Sequence, residues 1–145
     1  MSKECDSFDY TISMDKNKLQ VNYIHRYLST ESYWAKNIPV ETVKKSIEGS
    51  ICFGVYNQDV QMGFARVITD EATFAYLADV FIDEKHRGKG LSKKMMAYIM
   101  AFLETKQLRR MMLATKDAHA LYEQFGFSAI PDPTKLMGIK FFDEY

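Results

Sequence analysis

The alternation of apolar and polar residues predicts a strand near the start of the chain, and a spacing of three and four residues predicts helices after it. Phe8–Asp15 alternates apolar residues with polar partners, which is typical of a half-buried strand. Helical spacing begins at Leu19 and is interrupted by residues 29–39. A second helix then opens at Pro39 and ends at Gly49.

Three apolar segments follow, and the short links between them predict an antiparallel meander. The segments are residues 51–57, 60–69 and 73–83. Residues 58–59 form the first link and residues 70–72 the second. Links this short join neighbouring strands that run in opposite directions.

The pattern changes after Asp83. From Leu91 to Leu103, apolar residues recur every three or four positions and predict an amphipathic helix. Residues 109–115 then predict a strand. Because a strand, a helix and a strand in this order form a crossover unit, the two strands should be parallel. The predicted fold class is therefore α/β, a mixed and mostly antiparallel sheet flanked by helices, in one domain over residues 1–145.

The last third of the chain predicts one more helix and further strands. Residues 117–127 have the pattern of a short helix, with Asp117 as its cap and Gly126 at its end. The tail from Ser128 is expected to hold one or two strands around a turn at Pro131–Pro133.

Composition limits the possible partners and compartments. Lys plus Arg and Asp plus Glu both number 19, so no overall charge favours nucleic acid or an anionic membrane. Two cysteines, Cys5 and Cys52, make no disulfide framework and indicate reduced thiols in a cytoplasmic protein. No apolar run is long enough to cross a bilayer. His25, His86 and His119 show no metal-binding spacing.

A local cluster of cations surrounds two glycines at the expected start of the third helix. Cations are normally unfavourable at a helix amino terminus. Gly88 and Gly90 can turn several backbone N–H groups in one direction, and such groups bind anions. A phosphate ligand would then explain the five cations there, and a solvated basic loop is the alternative. These cations are Lys85, Arg87, Lys89, Lys93 and Lys94.

The known nucleotide loops fit this stretch poorly. P-loop spacing is absent, and Lys93 stands where a dinucleotide loop requires a third small residue. Val80–Ser92 instead resembles the acyl-CoA loop of the GNAT superfamily of N-acetyltransferases. Its pattern is Arg or Gln, two residues, Gly, one residue, then Gly or Ala. Arg87, Gly90 and Ser92 fill it, and the serine is a departure at the last position.

A second motif is similar to the same family. Its signature is an Ala-x-x-Leu-Tyr helix that ends in Gly-Phe, and the order and spacing of the two motifs agree with the family's. The resemblance extends from about Phe8 to Phe127. The matching residues are Ala118, Leu121, Tyr122, Gly126 and Phe127.

The resemblance implies an enzyme that moves an acetyl group from acetyl-CoA, as co-substrate and without a metal, to a primary amine. It implies that backbone N–H groups of the loop hold the CoA pyrophosphate. It also implies that the preceding strand binds the pantetheine arm and stabilises the oxyanion. The donor-binding residues would be Val80, Phe81, Ile82, Arg87, Gly88, Lys89, Gly90, Leu91, Ser92, Lys93 and Asp117.

The resemblance implies that Tyr122 protonates the departing thiolate, and a core aromatic is the alternative. A lysine-like amine is mostly protonated at neutral pH, so it must lose a proton. Asp79, inside an apolar strand, is the candidate base, and a structural or solvent-facing role at a bulge is weighed equally. Tyr33 and Trp34 would wall the acceptor site, or else cover the edge of the core.

Two other functions stay open at this point. One is a CoA-binding sensor without turnover, and the presence of Tyr122 favours the enzyme over it. The other is an unrelated nucleotide binder. The sequence does not identify the acceptor, which is a small-molecule or a peptide amine. No nucleic-acid or membrane partner is expected. Phe141 and Phe142 either line the site or cover the face of a homodimer.

Overall fold

A computed structural model of the chain describes residues 10–145, and five strands in it form one sheet in chain order. Strands β1 to β4 pair antiparallel, and β4 and β5 pair parallel. This confirms the predicted mixed sheet. The part of the first predicted strand before Tyr10 lies outside the described residues. The strands are β1 Tyr10–Ser13, β2 Ile51–Asn57, β3 Val60–Thr69, β4 Phe74–Ile82 and β5 Arg110–Leu113.

Helices cover both faces of the sheet. The first helix continues through a π-helical turn at Tyr27–Glu31, so it ends later than its apolar spacing suggested. Single 3₁₀ turns occur at Lys16–Lys18, Glu84–His86 and Pro133–Lys135. The helices are α1 Val21–Arg26, α2 Val40–Glu48, α3 Leu91–Glu104 and α4 His119–Glu123.

Two apolar clusters hold these layers together. Helix α3 buries Met95 and Ile99 against one face of the sheet. Helices α1 and α2 bury Ile24 and Val43 against the other face. Because both faces are covered, the interior strand β2 is buried from position 52 to position 56, which explains its continuous apolar run.

A glycine in β2 allows a tight contact inside this core. In a Gly54→Ala variant the new methyl group would lie 2.6 and 2.8 Å from two ring carbons of Tyr56, a residue that is 1% exposed. Because the ring has no free space, we expect the free energy of unfolding to fall by about 1–3 kcal/mol, as urea denaturation would measure. Gly138→Ala, where nothing lies within 4 Å, is the control. A loss below about 0.5 kcal/mol at Gly54 would contradict the tight contact.

Two expectations for the last third of the chain are wrong. No strand forms in residues 128–145, although the sequence pattern there predicted one or two. Asp117 does not cap α4, because the cap position is Ala118 and the helix begins without a side-chain cap. In the loop before it, the Thr115 hydroxyl accepts the N–H of Ala118 at 3.0 Å. The predicted end of this helix is confirmed, since Gly126 turns the chain with a φ of +98°.

Candidate active site

Strands β4 and β5 separate halfway along β4. Their parallel pairing joins Phe74–Leu77 to Arg110–Leu113 and ends there. Residues 78–82 therefore have no pairing with β5, and backbone groups on that edge of β4 face a gap. A cavity of about 560 Å³ occupies the gap, and its walls include Leu77 and Leu113.

A bulge on the other side of β4 accompanies this separation. Phe64 of β3 lies opposite Phe81, but Arg66 lies opposite Ala78, so β4 holds one residue more than β3 between these pairs. Asp79 is in the bulge and has a φ of +55°, a left-handed conformation that is uncommon outside glycine. Bulges bend a strand and re-aim its side chains, which suits a strand that leaves its neighbour.

The Asp79 carboxylate is held by two side chains. One oxygen accepts the Nε–H of Arg66 at 2.8 Å, and the other accepts the indole N–H of Trp34 at 2.8 Å. Arg66 also donates to the hydroxyl of Ser50 at 3.1 Å. The side chains of Arg66 and Asp79 are only 16% and 10% exposed. Of the two roles weighed for Asp79, this geometry favours the structural one.

Tyr33 and Trp34 bridge the open end of the gap. Trp34 is fixed to β4 through Asp79, and the Tyr33 hydroxyl accepts the backbone N–H of Lys116, beyond β5, at 3.0 Å. The two rings meet edge to face at 5.0 Å. The Lys116 ammonium lies 5.3 Å from the centre of the Tyr33 ring. The aromatic pair thus forms a wall of the cavity.

Tyr122 reaches the same cavity from α4. It is 8% exposed, and its ring packs edge to face on Phe127 at 6.0 Å. Its hydroxyl makes no hydrogen bond to a residue that the structure describes. Burial raises the pKa of the Tyr122 hydroxyl, with a smaller contribution from Tyr33. The hydroxyl therefore keeps its proton at neutral pH and has it available to donate.

The glycine loop borders a second cavity, of about 500 Å³. Gly88 and Gly90 have φ of +81° and +76°, a conformation that other residues resist. A Cβ at either position would meet nothing within 4 Å, so the backbone angle alone requires glycine there. The N–H groups of residues 88–93 donate to no described backbone acceptor. Groups of this kind at the start of a helix form an anion site.

Two of the cations in the loop have structural partners. Arg87 donates to the carbonyl of Ile82 at 3.1 Å and to the hydroxyl of Tyr27 at 2.9 Å. Lys89 donates to the hydroxyl of Tyr10 at 3.1 Å. The Arg87 side chain therefore fixes the loop to β4 and to the π-helical turn that follows α1. The backbone N–H groups of residues 88–93 are left without a backbone acceptor among the described residues.

The three donor-binding residues expected on β4 differ in whether their side chains are accessible to a ligand. Phe81 is 3% exposed and stacks on Tyr27 with ring centres 3.8 Å apart, so only its backbone is available to a ligand. Val80 lines the first cavity and Ile82 the second. Sequence reasoning missed Arg66, although a lone charge in an apolar strand was a usable signal.

The two cavities border the same two elements. Val80 and Tyr122 line the first, while Ile82 and Leu121 line the second. These residues are close in sequence on β4 and α4, so the cavities follow each other along one cleft. The glycine loop lies at one end of the cleft and the aromatic pair at the other.

The fold and this cleft define an acyltransferase-like protein of the GNAT type. The sequence profile of the acetyltransferase (GNAT) family matches residues 21–127. The chain belongs to that family.

Individual relatives agree with this assignment. A Gibberella zeae protein named as an acetyltransferase is 34% identical over 134 residues, which cover 79% of this chain and 76% of the relative. A GNAT-family protein of Xanthomonas campestris pv. campestris has a crystal structure with a TM-score of 0.87 and 46% identity. The similarity covers 90% of this chain and 92% of that one.

A more distant structure shares the fold alone. It is a GNAT-family acetyltransferase of Elizabethkingia anophelis, crystallised with acetyl-CoA bound, with a TM-score of 0.63 and 13% identity. The similarity covers 83% of this chain and 77% of that one.

Two features are absent from residues 10–145. Within that range no group of three or more His, Cys, Asp or Glu side chains is arranged to hold a metal ion. Helices long and apolar enough to cross a membrane are likewise absent from that range.

Proposed function

We propose that this chain transfers an acetyl group from acetyl-CoA to a primary amine by direct attack of the amine on the thioester. The observation that carries the proposal is the end of the β4–β5 pairing at Leu77, beside a loop with free N–H groups. A strand edge and an anion site then lie along one cleft. The distant Elizabethkingia relative, with acetyl-CoA in its structure, supports the choice of donor.

The glycine loop would hold the pyrophosphate of the donor. N–H groups of residues 88–93 supply hydrogen bonds, and the amino terminus of α3 adds its partial positive charge. Lys93 borders the same cavity and adds a full charge. Neutralisation of two adjacent phosphates by these groups makes the loop the main source of donor affinity.

The free edge of β4 would hold the pantetheine arm. Its amide groups can pair with the backbone of residues 78–82 in the manner of an added strand. A β4 N–H in this stretch would also stabilise the oxyanion that forms when the thioester carbonyl is attacked. A donor of this kind is worth about 3 kcal/mol in other acyl transfers.

Tyr122 would act as the general acid. The amine nitrogen forms a bond to the carbonyl carbon, and the carbon–sulfur bond then breaks. The departing thiolate takes the proton of the Tyr122 hydroxyl, and the proton that the nitrogen loses as the amide forms restores that hydroxyl. Since the pKa of this hydroxyl is raised by burial, the acid form persists up to and beyond the ordinary tyrosine value near 10.

The acceptor would enter past Tyr33 and Trp34. Apolar and aromatic surface around the amine disfavours its charged form and helps it to lose a proton. We assign Asp79 the task of fixing Trp34 and the bulge, because Arg66 and Trp34 already hold both of its oxygens. Deprotonation then depends on desolvation rather than on this carboxylate.

Asp79→Asn separates the two roles of this residue. The variant loses the charge and keeps one oxygen acceptor, which we expect to stay with Arg66, so that Trp34 is left without an acceptor. We expect an unchanged acidic limb in the pH profile of kcat, and a kcat within about tenfold of wild type, because a lost base would cost about 10²–10⁴-fold. The KM of the amine should rise, since Trp34 loses its anchor. Flattening of the acidic limb would instead identify Asp79 as the base.

Release of free thiol from acetyl-CoA in the presence of an amine panel tests the proposed activity. We expect release that depends on at least one primary amine and that forms the acetylated amine in equal amount, as mass spectrometry would show. Acetyl-CoA binding without release for any amine would support a CoA sensor and contradict the enzyme. Absence of both would contradict the donor assignment as well.

A further inference from the structure

Arg66 presents part of its guanidinium to the first cavity. Its side chain lines that cavity and is 16% exposed. Nε donates to Asp79 and Nη1 donates to the Ser50 hydroxyl, but Nη2 donates to no acceptor among the described residues. In the described part of the chain, the buried polar side-chain atoms without a partner are Tyr56 Oη and His86 Nδ1, so Nη2 is accessible to solvent. Arg66 therefore has donors left for a ligand in the cavity.

The carboxylate beside Arg66 is not available to a ligand. Both oxygens of Asp79 accept hydrogen bonds, one from Arg66 and one from Trp34, each at 2.8 Å. The other carboxylate side chain of the cavity wall is Asp117, which is exposed and directly follows the exposed cation Lys116. A second ammonium of a polyamine would meet no free acceptor beside Arg66, whereas an anion would meet free donors there.

Arg66 lies on the face of the sheet from which the amine would attack. Phe64 and Arg66 are two positions apart on β3, so their side chains share a face, and Phe64 packs in the cluster formed with α1 and α2. Tyr122 belongs to the cluster formed with α3 on the other face. Because Tyr122 would protonate the thiolate there, the opposite face is left to the amine. Arg66 is thus beside the acceptor rather than beside the donor.

A carboxylate is the anion that fits these donors best. The planar guanidinium donates hydrogen bonds in pairs to the two oxygens of a carboxylate. Asp79 is bonded to the same guanidinium, so it would repel a dianionic phosphate about twice as strongly as a monoanionic carboxylate. The cavity, with a volume of about 560 Å³, must also take the pantetheine arm, which leaves room for a small molecule only.

We propose that the acceptor is a small amine that also carries a carboxylate, and that the free end of the Arg66 guanidinium binds this carboxylate. The inference rests on the proposed acetyl transfer and names its substrate class. The carboxylate is anchored at Arg66 on β3, and the amine nitrogen reaches the gap beside β4 where the thioester is attacked. The products are the N-acetylated amino acid and free CoA.

Matched substrate triplets test the carboxylate. Each triplet consists of an α-, β- or γ-amino acid, its carboxamide and the amine that lacks the carboxyl group. We expect at least one acid to have a kcat/KM at least about tenfold above both of its partners, because it alone forms the charge-assisted hydrogen bonds. The ammonium of the carboxamide loses its proton more readily, since no carboxylate stabilises it, so a preference for the acid does not come from protonation.

Arg66→Lys tests the assignment to this side chain. Lysine keeps a cation beside Asp79 but has no planar fork. The ratio of kcat/KM for the acid to kcat/KM for its carboxamide should fall at least about tenfold. A general loss of structure lowers both values and leaves the ratio unchanged. Arg26→Lys is the matched control and should keep the wild-type ratio, because the Arg26 side chain is 59% exposed and lines neither cavity.

Three results would contradict the assignment at different points. A kcat/KM for carboxamides or simple amines equal to or above that of every acid would overturn the carboxylate and leave acetyl transfer intact. An unchanged acid-to-carboxamide ratio in Arg66→Lys would overturn the role of Arg66. Absence of thiol release with every member of the panel would contradict acetyl transfer itself, and the substrate class would fall with it.

Discussion

Replacing Tyr122 by phenylalanine should lower kcat by about 10²–10⁴-fold, the usual contribution of a general acid. The substitution removes only the hydroxyl from a side chain whose ring is 8% exposed and packed on Phe127, so the fold should be retained. The Kd of acetyl-CoA should stay nearly constant, because the loop and β4 supply the donor contacts. Steady-state kinetics and calorimetry on the same preparation would measure both quantities.

Tyr98→Phe is the matched control for this loss. Tyr98 lies on α3, is 40% exposed, and lines neither cavity. The kcat of the Tyr98→Phe variant should equal that of the wild-type protein. Wild-type turnover in Tyr122→Phe would remove Tyr122 from the mechanism and leave its ring a purely structural role.

Replacing Arg66 by methionine should lower the free energy of unfolding by about 3–5 kcal/mol. The change leaves the Asp79 carboxylate, 10% exposed, without its cation, and an uncompensated buried charge is costly. Ser50 loses a donor as well. Urea denaturation would measure the loss, and Arg66→Met/Asp79→Asn should recover part of it because no buried charge is left unpaired.

An exposed ion pair provides the comparison for Arg66. Lys44 pairs with Glu41 at 3.5 Å, with side chains 51% and 80% exposed. Lys44→Met should cost no more than about 1 kcal/mol, as exposed pairs usually do. An equally small loss for Arg66→Met would mean that the Asp79 carboxylate is hydrated in solution, and the role of this pair in fixing the bulge would be wrong.

The parts of the site that depend on local backbone geometry could be predicted from the sequence. Gly88 and Gly90 were singled out because a left-handed conformation favours glycine, and both have positive φ. The antiparallel meander and the parallel pair were also predicted, since short links and a crossover helix permit few topologies. Both predictions depend on residues that are close in the chain.

The parts that depend on distant contacts could not be predicted in this way. Asp79 drew notice as a charge in an apolar strand, but its partners lie 13 and 45 positions away. Arg87 was grouped with the free cations, because nothing local shows that its guanidinium reaches Tyr27, 60 positions away. Pairing over such distances is set by how the sheet and helices pack, and apolar periodicity does not encode it.

Two errors came from residues that fit more than one local structure. Asp117 is a good capping residue, but α4 begins at His119 without a side-chain cap. The tail has the alternation of a strand, but a strand also needs a neighbouring strand to pair with. Residues 137–145 make no backbone hydrogen bond to another described residue. In both cases the residue types favoured the predicted local structure, and the tertiary structure did not form it.

The central claim is that the backbone around Gly88 and Gly90 binds the diphosphate of coenzyme A. Isothermal titration of the full chain with acetyl-CoA measures this most directly. The control is S-acetylpantetheine, which keeps the thioester and the pantetheine arm but lacks the diphosphate and the nucleotide. We expect saturable binding of acetyl-CoA and at least about 100-fold weaker binding of the control, since charge-assisted hydrogen bonds to phosphate carry much of the affinity. No heat with acetyl-CoA at millimolar concentration, or equal affinity for both compounds, would contradict the claim.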